Sequence, residues 1–447
     1  MTANNSHSSR YVFTKGRGKT IFIVVSVIFI TLLLDTSIIK ISDLTLKSTS
    51  SWRLVLFVII AAISLVGQNL ILRFIKQKVD KSTSVQKSLR LNSIYKLAVT
   101  VHYILAAILV FVILQMLITS SYNVVLLTAA ITISYVFAVA MMGILCLRFF
   151  SWFRLNKNYV VLLYGLSSLT LAINTCVTLW LVNSILLTLP GEVMPRVLMI
   201  MPSAIDVNPI SSMLNYAYII TTIISFILTW CATIGLLRNY THKMGKFAYW
   251  IVLIVPLAYF ISQFLVLSLG LFGPLLISNP IFIGLLFTLI FTLSKPIGGI
   301  IFGIGFWLIA KNIQKDNVVR SYLIISAYGF LLLFTSNQAM LQTFPQYPPF
   351  GLVTISFVGL SSYLVLVGIY SSAISISQDA NLRREIKHLA IKESKMLHSI
   401  GQAQVEEEVK RRVLHIARIN KNHLAEPAVP SALDDDDVNQ YLDAVLK

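Results

Sequence analysis

Long runs of apolar residues, separated by short polar connections, dominate the chain from residue 20 to residue 377. A helix needs about 20 mainly apolar residues to cross the roughly 30 Å of hydrocarbon in a bilayer. The pattern predicts ten such spans, at residues 20–40, 52–75, 97–119, 123–147, 159–189, 214–237, 247–273, 281–309, 321–340 and 352–377. We therefore expect an all-α fold, a polytopic transmembrane helix bundle.

Basic residues alternate in register with the predicted spans. The N-terminal segment (1–19) and the connections that would share its side of the membrane hold 20 Lys and Arg. The opposite connections hold four, namely Lys40, Lys47, Arg53 and Arg196. Because cytoplasmic connections carry such an excess, the pattern predicts that both termini are cytoplasmic and that the protein lies in the cell (plasma) membrane.

The composition supports the same class of protein. Of the 447 residues, 56% are hydrophobic and only 12% are charged, whereas a soluble protein has about 25% charged residues. Residues 1–377 hold 25 Lys and Arg against six Asp and Glu, a balance of +19, and residues 378–447 contribute −1 to the net charge of +18. These basic residues flank spans rather than cluster in a soluble domain, so we expect no nucleic-acid partner. The expected partner of this part of the chain is the lipid bilayer.

Signatures of catalysis and of metal binding are missing from the sequence. It contains no HExxH, no GxSxG and no phosphate-binding loop. Cys146, Cys176 and Cys231 fall inside apolar runs without CxxC spacing, which is typical of buried small hydrophobic residues. We expect no enzyme activity, no metal site and no cofactor.

Lys295 lies at the centre of the eighth predicted span, where a charge is costly unless it is paired or hydrated. Pro296 follows it and predicts a kink or break in the helix. Gly299 and Gly303 have the spacing that lets another helix backbone approach closely. Two interpretations of Lys295 stay open: a packing lysine bonded to carbonyls or a carboxylate, and a binding or gating charge that lines a cavity.

Asp35 is the one acidic residue predicted well inside the hydrocarbon. A lysine side chain can reach several ångströms along a helix, which would allow an Asp35–Lys295 pair; the alternative is an Asp35 that caps the end of its span. Asn174 and Gln263 are uncharged polar residues within spans, and such residues form interhelical hydrogen bonds or line cavities. With Lys295 and Pro296, these residues are the ligand or gating candidates.

Residues 378–420 are predicted as a cytoplasmic coiled-coil-like helix. Apolar residues that include Leu389, Met396 and Ile400 recur at a/d spacing, and three consecutive Glu–Lys/Arg pairs at i,i+4 then support the helix. The pattern favours a coil that pairs with a second copy of the chain or with a cytoplasmic protein. The alternative is an amphipathic helix that folds back on basic loops or lipid.

Residues 421–447 contain a linker, four consecutive aspartates and a short amphipathic segment. Tyr441, Leu442 and Val445 share one face of that segment. Such a short helix is not stable alone in water. It either docks on a partner or stays a disordered end.

The sequence has three stretches, SKPIGG (294–299), YPPFGL (347–352) and YSSAISISQD (370–379), that together resemble a family of uncharacterised polytopic membrane proteins of ammonia-oxidising archaea. The resemblance implies an archaeal membrane protein and adds no activity. Residues 393–409 also resemble the signalling helix that joins a membrane sensor to a histidine kinase. No ATP-binding domain follows, and His398 lacks the context of a phosphoacceptor, so this likeness implies a sensor without its own kinase.

Functions of different classes compete on these observations. The first is a membrane sensor or adaptor that signals to a cytoplasmic partner through its C-terminal helix. The second is a secondary transporter or channel that uses the broken helix at Lys295 and Pro296. The third is a structural subunit of a membrane complex.

Overall fold

The computed structural model describes residues 6–42, 50–81, 89–186, 192–193, 209–238, 245–268, 286, 290–314, 317–337, 347–379, 382–384, 386 and 395–423. Its long helices in the predicted membrane domain are α1 (Ser6–Ser42), α2 (Ser50–Lys81), α3 (Leu89–Thr119), α4 (Val124–Leu155), α5 (Tyr159–Leu186), α6 (Pro209–Leu237), α7 (Lys246–Ser268), α8 (Ser294–Asn312), α9 (Val318–Ser336) and α10 (Leu352–Gln378). The helix α11 (Lys395–His423) follows, and β1 (Tyr122–Asn123) pairs antiparallel with β2 (Glu192–Val193).

Nine of the described helices, α1 to α7, α9 and α10, are long and apolar enough to span a membrane. They match nine of the ten predicted spans in chain order, and α8 overlaps the second part of the predicted eighth span, 281–309. The prediction of an all-α polytopic helix bundle is therefore confirmed, and the chain is a multi-pass membrane protein.

Asparagine side chains cap the N-termini of three of these helices. Asn123, Asn158 and Asn317 each accept a hydrogen bond from the backbone N–H two residues later, at 2.8, 2.9 and 2.9 Å respectively. An N-terminal cap of this kind satisfies a donor that the helix itself leaves unpaired. These caps stabilise the first turns of α4, α5 and α9 directly after the connections that precede them.

The helix α10 forms the centre of the bundle. It packs against α1, α2, α3, α4 and α9, and 94% of its apolar window is buried inside the protein, against 39% for α1 and 28% for α3. Residues of α10 that face the neighbouring helices are often small. A Cβ on Gly368, for example, would overlap the Ser326 hydroxyl of α9.

The chain leaves the helical conformation where α10 ends, at a place we call the tail end of the bundle. Asp379 is extended (φ −108°, ψ 110°), and the next long described helix is α11, from Lys395. The coiled-coil-like helix over 378–420 stays a prediction, because residues 387–394 lie outside the described residues. The break allows α11 to pack against α4, α5 and α10 of the same chain.

The apolar face of α11 is buried within the protein. Met396 is 2% exposed and Ile400 is 1% exposed. A Cβ on Gly401 would overlap the Ile376 side chain of α10, so the helices approach closely there. The alternative of a helix that folds back on basic loops or lipid did not name the membrane helices as the surface. In this structure Met396 and Ile400, predicted to face a partner, lie against the bundle. The other docking candidates, Leu389, Tyr441, Leu442 and Val445, lie outside the described residues.

Candidate functional site

Lys295 is the second residue of α8 and has two neutral hydrogen-bond partners. Its ammonium donates to the Tyr218 hydroxyl of α6 at 2.9 Å and to the Asn337 carbonyl at 3.0 Å. It also lies 5.1 Å from the centre of the Tyr218 ring, within the range of a cation–π contact. Three sources of negative partial charge therefore face this cation.

The helix α8 begins at Ser294, directly before Lys295, instead of extending through Lys295 from residue 281. Residues 292 and 293 form a turn, and Ser294 is the first residue of α8. Pro296 thus lies in the first turn, where a missing N–H costs nothing because that donor would have no helical acceptor. The predicted kink or break at Pro296 therefore takes the form of a break: a turn at residues 292 and 293, followed by a helix start at Ser294.

The end of α9 lies at the same depth in the bundle. Ser336, the last residue of α9, has its hydroxyl 3.5 Å from that of Ser361, which is nine residues after the start of α10 at Leu352. At 1.5 Å per residue, that is about 13 Å inside the bundle. One helix start and one helix end therefore meet inside the membrane domain.

The position of Lys295 follows from this meeting of helix ends. The last carbonyls of a helix lack internal partners and carry partial negative charge. Asn337 is the C-terminal cap of α9, and its carbonyl accepts from Lys295. The lysine therefore satisfies an acceptor that the surrounding hydrocarbon could not satisfy.

Two asparagines extend this polar layer across the bundle. The Asn337 amide donates to the Asn174 side-chain oxygen of α5 at 3.1 Å. Asn174 in turn donates to the hydroxyls of Thr222 at 2.8 Å and Thr221 at 3.0 Å, both in α6. The layer therefore ties α5, α6, α8 and α9 together at the depth of Lys295.

Gln263 of α7 belongs to the same region, because its side-chain oxygen accepts from the Ser294 hydroxyl at 3.0 Å. The structure thus brings four of the predicted candidates, Lys295, Pro296, Asn174 and Gln263, to one place. Sequence reasoning missed Tyr218, since a tyrosine within a span carries no signal that distinguishes a polar partner from a packing residue.

Asp35 of α1 lies elsewhere and does not pair with Lys295. Its two oxygens accept from the backbone N–H groups of Gly351 and Thr354 at 3.1 and 3.0 Å, and from the Thr354 hydroxyl at 2.7 Å. Asp35 is fully buried, so all of these bonds are shielded from water. It caps the N-terminus of α10, a different helix from its own.

A small cavity lies beside Lys295. Its polar lining residues are Asn174, Thr222, Ser225, Lys295 and Asn337, and aromatic and aliphatic side chains form the rest of the wall. The cavity volume is about 10 Å³, which is enough for about one water molecule.

The glycines of α8 bring α9 close to this site. A Cβ on Gly299 would lie 2.9 Å from Phe334, and one on Gly303 would lie 2.7 Å from the Ala327 carbonyl oxygen. Any side chain at these positions would push the two helices apart. Gly299 and Gly303 therefore fix the distance between α8 and α9.

A second polar site lies at the tail end of the bundle, between α11 and the membrane helices. Arg148 of α4 forms a salt bridge with Glu407 of α11 at 2.8 Å and lies 4.9 Å from the Tyr370 ring centre. The Trp152 indole donates to Gln404 at 3.0 Å. These pairs fix the register of α11 on the bundle.

The same contact continues onto α5. The Asn158 amide, next to the start of α5, donates to the Ser399 hydroxyl of α11 at 2.8 Å. Sequence reasoning missed these bundle residues. The sequence did show the apolar face of α11, and such a face must be buried, but it did not show which surface would cover it.

These features define a polytopic α-helical membrane protein with a half-buried lysine between helix ends and a further helix, α11, that packs on one end of the bundle. Comparison of the chain with family models, with curated proteins and with solved structures gave no match. Within the part of the chain that the structure describes, no group of three His, Cys, Asp or Glu side chains could hold a metal ion.

Proposed function

We propose that the protein is an integral membrane sensor or adaptor without a catalytic domain of its own. In this proposal, α11 passes the state of the helix bundle to a cytoplasmic partner. The observation that carries the proposal is the docking of α11 on α4, α5 and α10 through an apolar face and matched polar pairs.

In this proposal the helix bundle and the cytoplasmic partner compete for the apolar face of α11, so that α11 switches between a docked and a released state. Met396 and Ile400 have the a/d spacing with which a helix pairs with another helix, yet both are buried against the bundle. A partner that uses the same face must displace the bundle, so the docked and released states exclude each other. An equilibrium between two such states is what a ligand or a membrane signal can bias.

The helix α10 offers a direct route for the signal. Its start is held by Asp35 at one end of the bundle, and its last turns contact α11 at the other end. A shift of this single buried helix would change both contacts together. The excess of basic residues on the side of α11 supports the cytoplasmic placement of both termini.

The first prediction concerns the release of α11. Spin labels at the exposed residues Lys157, between α4 and α5, and Gln402, in α11, report the distance between α11 and the bundle. Electron paramagnetic resonance in lipid nanodiscs should give one short distance in the otherwise unchanged protein. Arg148→Glu places like charges opposite Glu407 in a part-buried pair, so a second, longer and broader distance should appear. The double variant Arg148→Glu with Glu407→Arg should restore the short distance.

A matched control tests whether the docking pair is special. Arg412 pairs with Glu408 within α11 at 2.7 Å, and its side chain is 70% exposed. Exposed pairs of this kind contribute little to stability, so Arg412→Glu should leave the distance unchanged. If Arg148→Glu also leaves it unchanged, α11 is a fixed part of the bundle and the switch is contradicted.

A secondary transporter or channel is the second candidate, and one observation favours it. The start of α8 and the end of α9 meet inside the bundle beside Lys295, and broken helices of this kind form the substrate sites of many transporters.

The second prediction separates the two candidates. If the protein is a transporter, deletion of 379–447 should leave its flux in proteoliposomes unchanged, since the spans precede this segment. If it is an adaptor, the same deletion should abolish signalling to the partner in cells. The intact α10 is retained in both experiments. Full flux in the deleted protein would contradict the adaptor proposal.

A further inference from the structure

The site beside Lys295 has two unused hydrogen-bonding groups. An ammonium carries three donors, and within the described residues Lys295 uses two of them, on Tyr218 and on the Asn337 carbonyl. The side-chain oxygen of Asn337 is buried and has no hydrogen-bond partner among the described residues, and Asn337 as a whole is 5% exposed. One donor and one acceptor are therefore left over at the same cavity.

A buried polar atom without a partner costs free energy, about 1–3 kcal/mol from mutational data. Native proteins commonly satisfy such atoms with an internal water that has two to four polar partners. The cavity volume is about 10 Å³. The size excludes a ligand of several heavy atoms in this conformation.

The chemistry of the leftover groups selects the ligand. A bare anion would accept from Lys295 but would meet the lone pairs of the Asn337 oxygen. A cation would suit that oxygen but would be repelled by the ammonium. A small neutral molecule that both accepts and donates satisfies both groups.

We propose that this cavity is a binding site for a single water molecule, which accepts a hydrogen bond from Lys295 and donates one to the Asn337 side-chain oxygen. This water completes the polar layer across α5, α6, α8 and α9 and hydrates the lysine inside the membrane. The proposal is independent of the role of α11.

Radiolytic hydroxyl labelling of the full-length protein in nanodiscs tests the site, because trapped water labels the side chains beside it. Phe334 lines the cavity, whereas Phe302 lies against Phe334 without lining it. Both are almost fully buried, at 4% and 1% exposure. Labelling of Phe334 should clearly exceed that of Phe302 in the wild-type protein. Equal background labelling of both would overturn the proposal.

Two variants connect the label to the proposed partners. Lys295→Met should lose the excess labelling of Phe334; labelling that persists would show that Lys295 does not hold the water. Since Lys295→Met could disturb folding, Ser225→Val provides a second test. Ser225 lines the cavity and donates only to the Thr222 carbonyl of its own helix, at 3.0 Å. Added volume in Ser225→Val should remove the label, whereas Ser225→Ala should keep it.

Bromide identifies the ligand class. Crystals of the protein grown in bromide should show no anomalous peak at the cavity if a neutral molecule occupies it. An anomalous peak within contact distance of Lys295 would show that the occupant is an anion and would overturn the assignment to water.

Discussion

Asp35→Ala should lower the free energy of unfolding by about 3 kcal/mol or more. The substitution leaves the N–H groups of Gly351 and Thr354 and the Thr354 hydroxyl without their acceptor, and each buried donor left unpaired costs about 1–3 kcal/mol. It also removes a negative charge from the positive end of the α10 dipole. Thermal unfolding of the purified protein in detergent, followed by tryptophan fluorescence, measures the loss.

Two variants calibrate this expectation. Asp35→Asn keeps an acceptor oxygen in place and should cost less than Asp35→Ala. Thr31→Ala removes a buried side chain one turn earlier on α1, whose hydroxyl donates only to the Val27 carbonyl of its own helix at 2.8 Å, so its effect should be small. If Asp35→Ala is no worse than Thr31→Ala, the cap on α10 contributes little.

Gly368→Ala should also be strongly destabilising, because α10 and α9 touch backbone to backbone at this point. A Cβ on Gly368 would lie 2.6 Å from both the Ser326 backbone nitrogen and the Tyr322 carbonyl oxygen. Backbone atoms cannot rotate away, so the helices must separate. Overpacking of this kind costs about 1–3 kcal/mol and occasionally more, which would lower the temperature of unfolding in the same assay.

Gly143→Ala is the matched control for this variant. Gly143 lies in the interior of α4, and a Cβ there would have no heavy atom within 4 Å. Alanine is more favourable than glycine in a helix interior by about 0.5–1 kcal/mol. Gly143→Ala should therefore stabilise the protein, and an equal loss in both variants would show that close packing at Gly368 is not the cause.

Hydrophobic pattern alone was enough to predict the spans, since the length of an apolar run and the thickness of a bilayer are directly related. It was not enough to predict where α8 begins. Residues 281–309 read as one apolar run, yet a turn at residues 292 and 293 precedes α8 at Ser294. A helix can start or end inside the bundle only if another chain segment satisfies its unpaired backbone N–H or C=O groups. Lys295 does this for the Asn337 carbonyl at the end of α9.

The candidate site was predictable in its residue types but not in its pairs. The cost of polar groups in hydrocarbon identified Lys295, Asn174, Gln263 and Asp35. Their partners depend on which helices are neighbours, and the pattern of polar and apolar positions does not show this. The pattern therefore allowed an Asp35–Lys295 pair, whereas Asp35 caps α10. The apolar face of α11 was likewise evident, while the surface that covers it was not.

The central position of α10 has a consequence for synthesis. Spans leave the ribosome in chain order, and α10 is the last of the described spans, although it is the one most enclosed by the others. The helices α1, α2, α3, α4 and α9 therefore enter the bilayer before the helix on which they pack. Until α10 is inserted, the faces that will receive it have only lipid or one another as neighbours. The incomplete bundle is then the form of this protein most open to quality-control proteases.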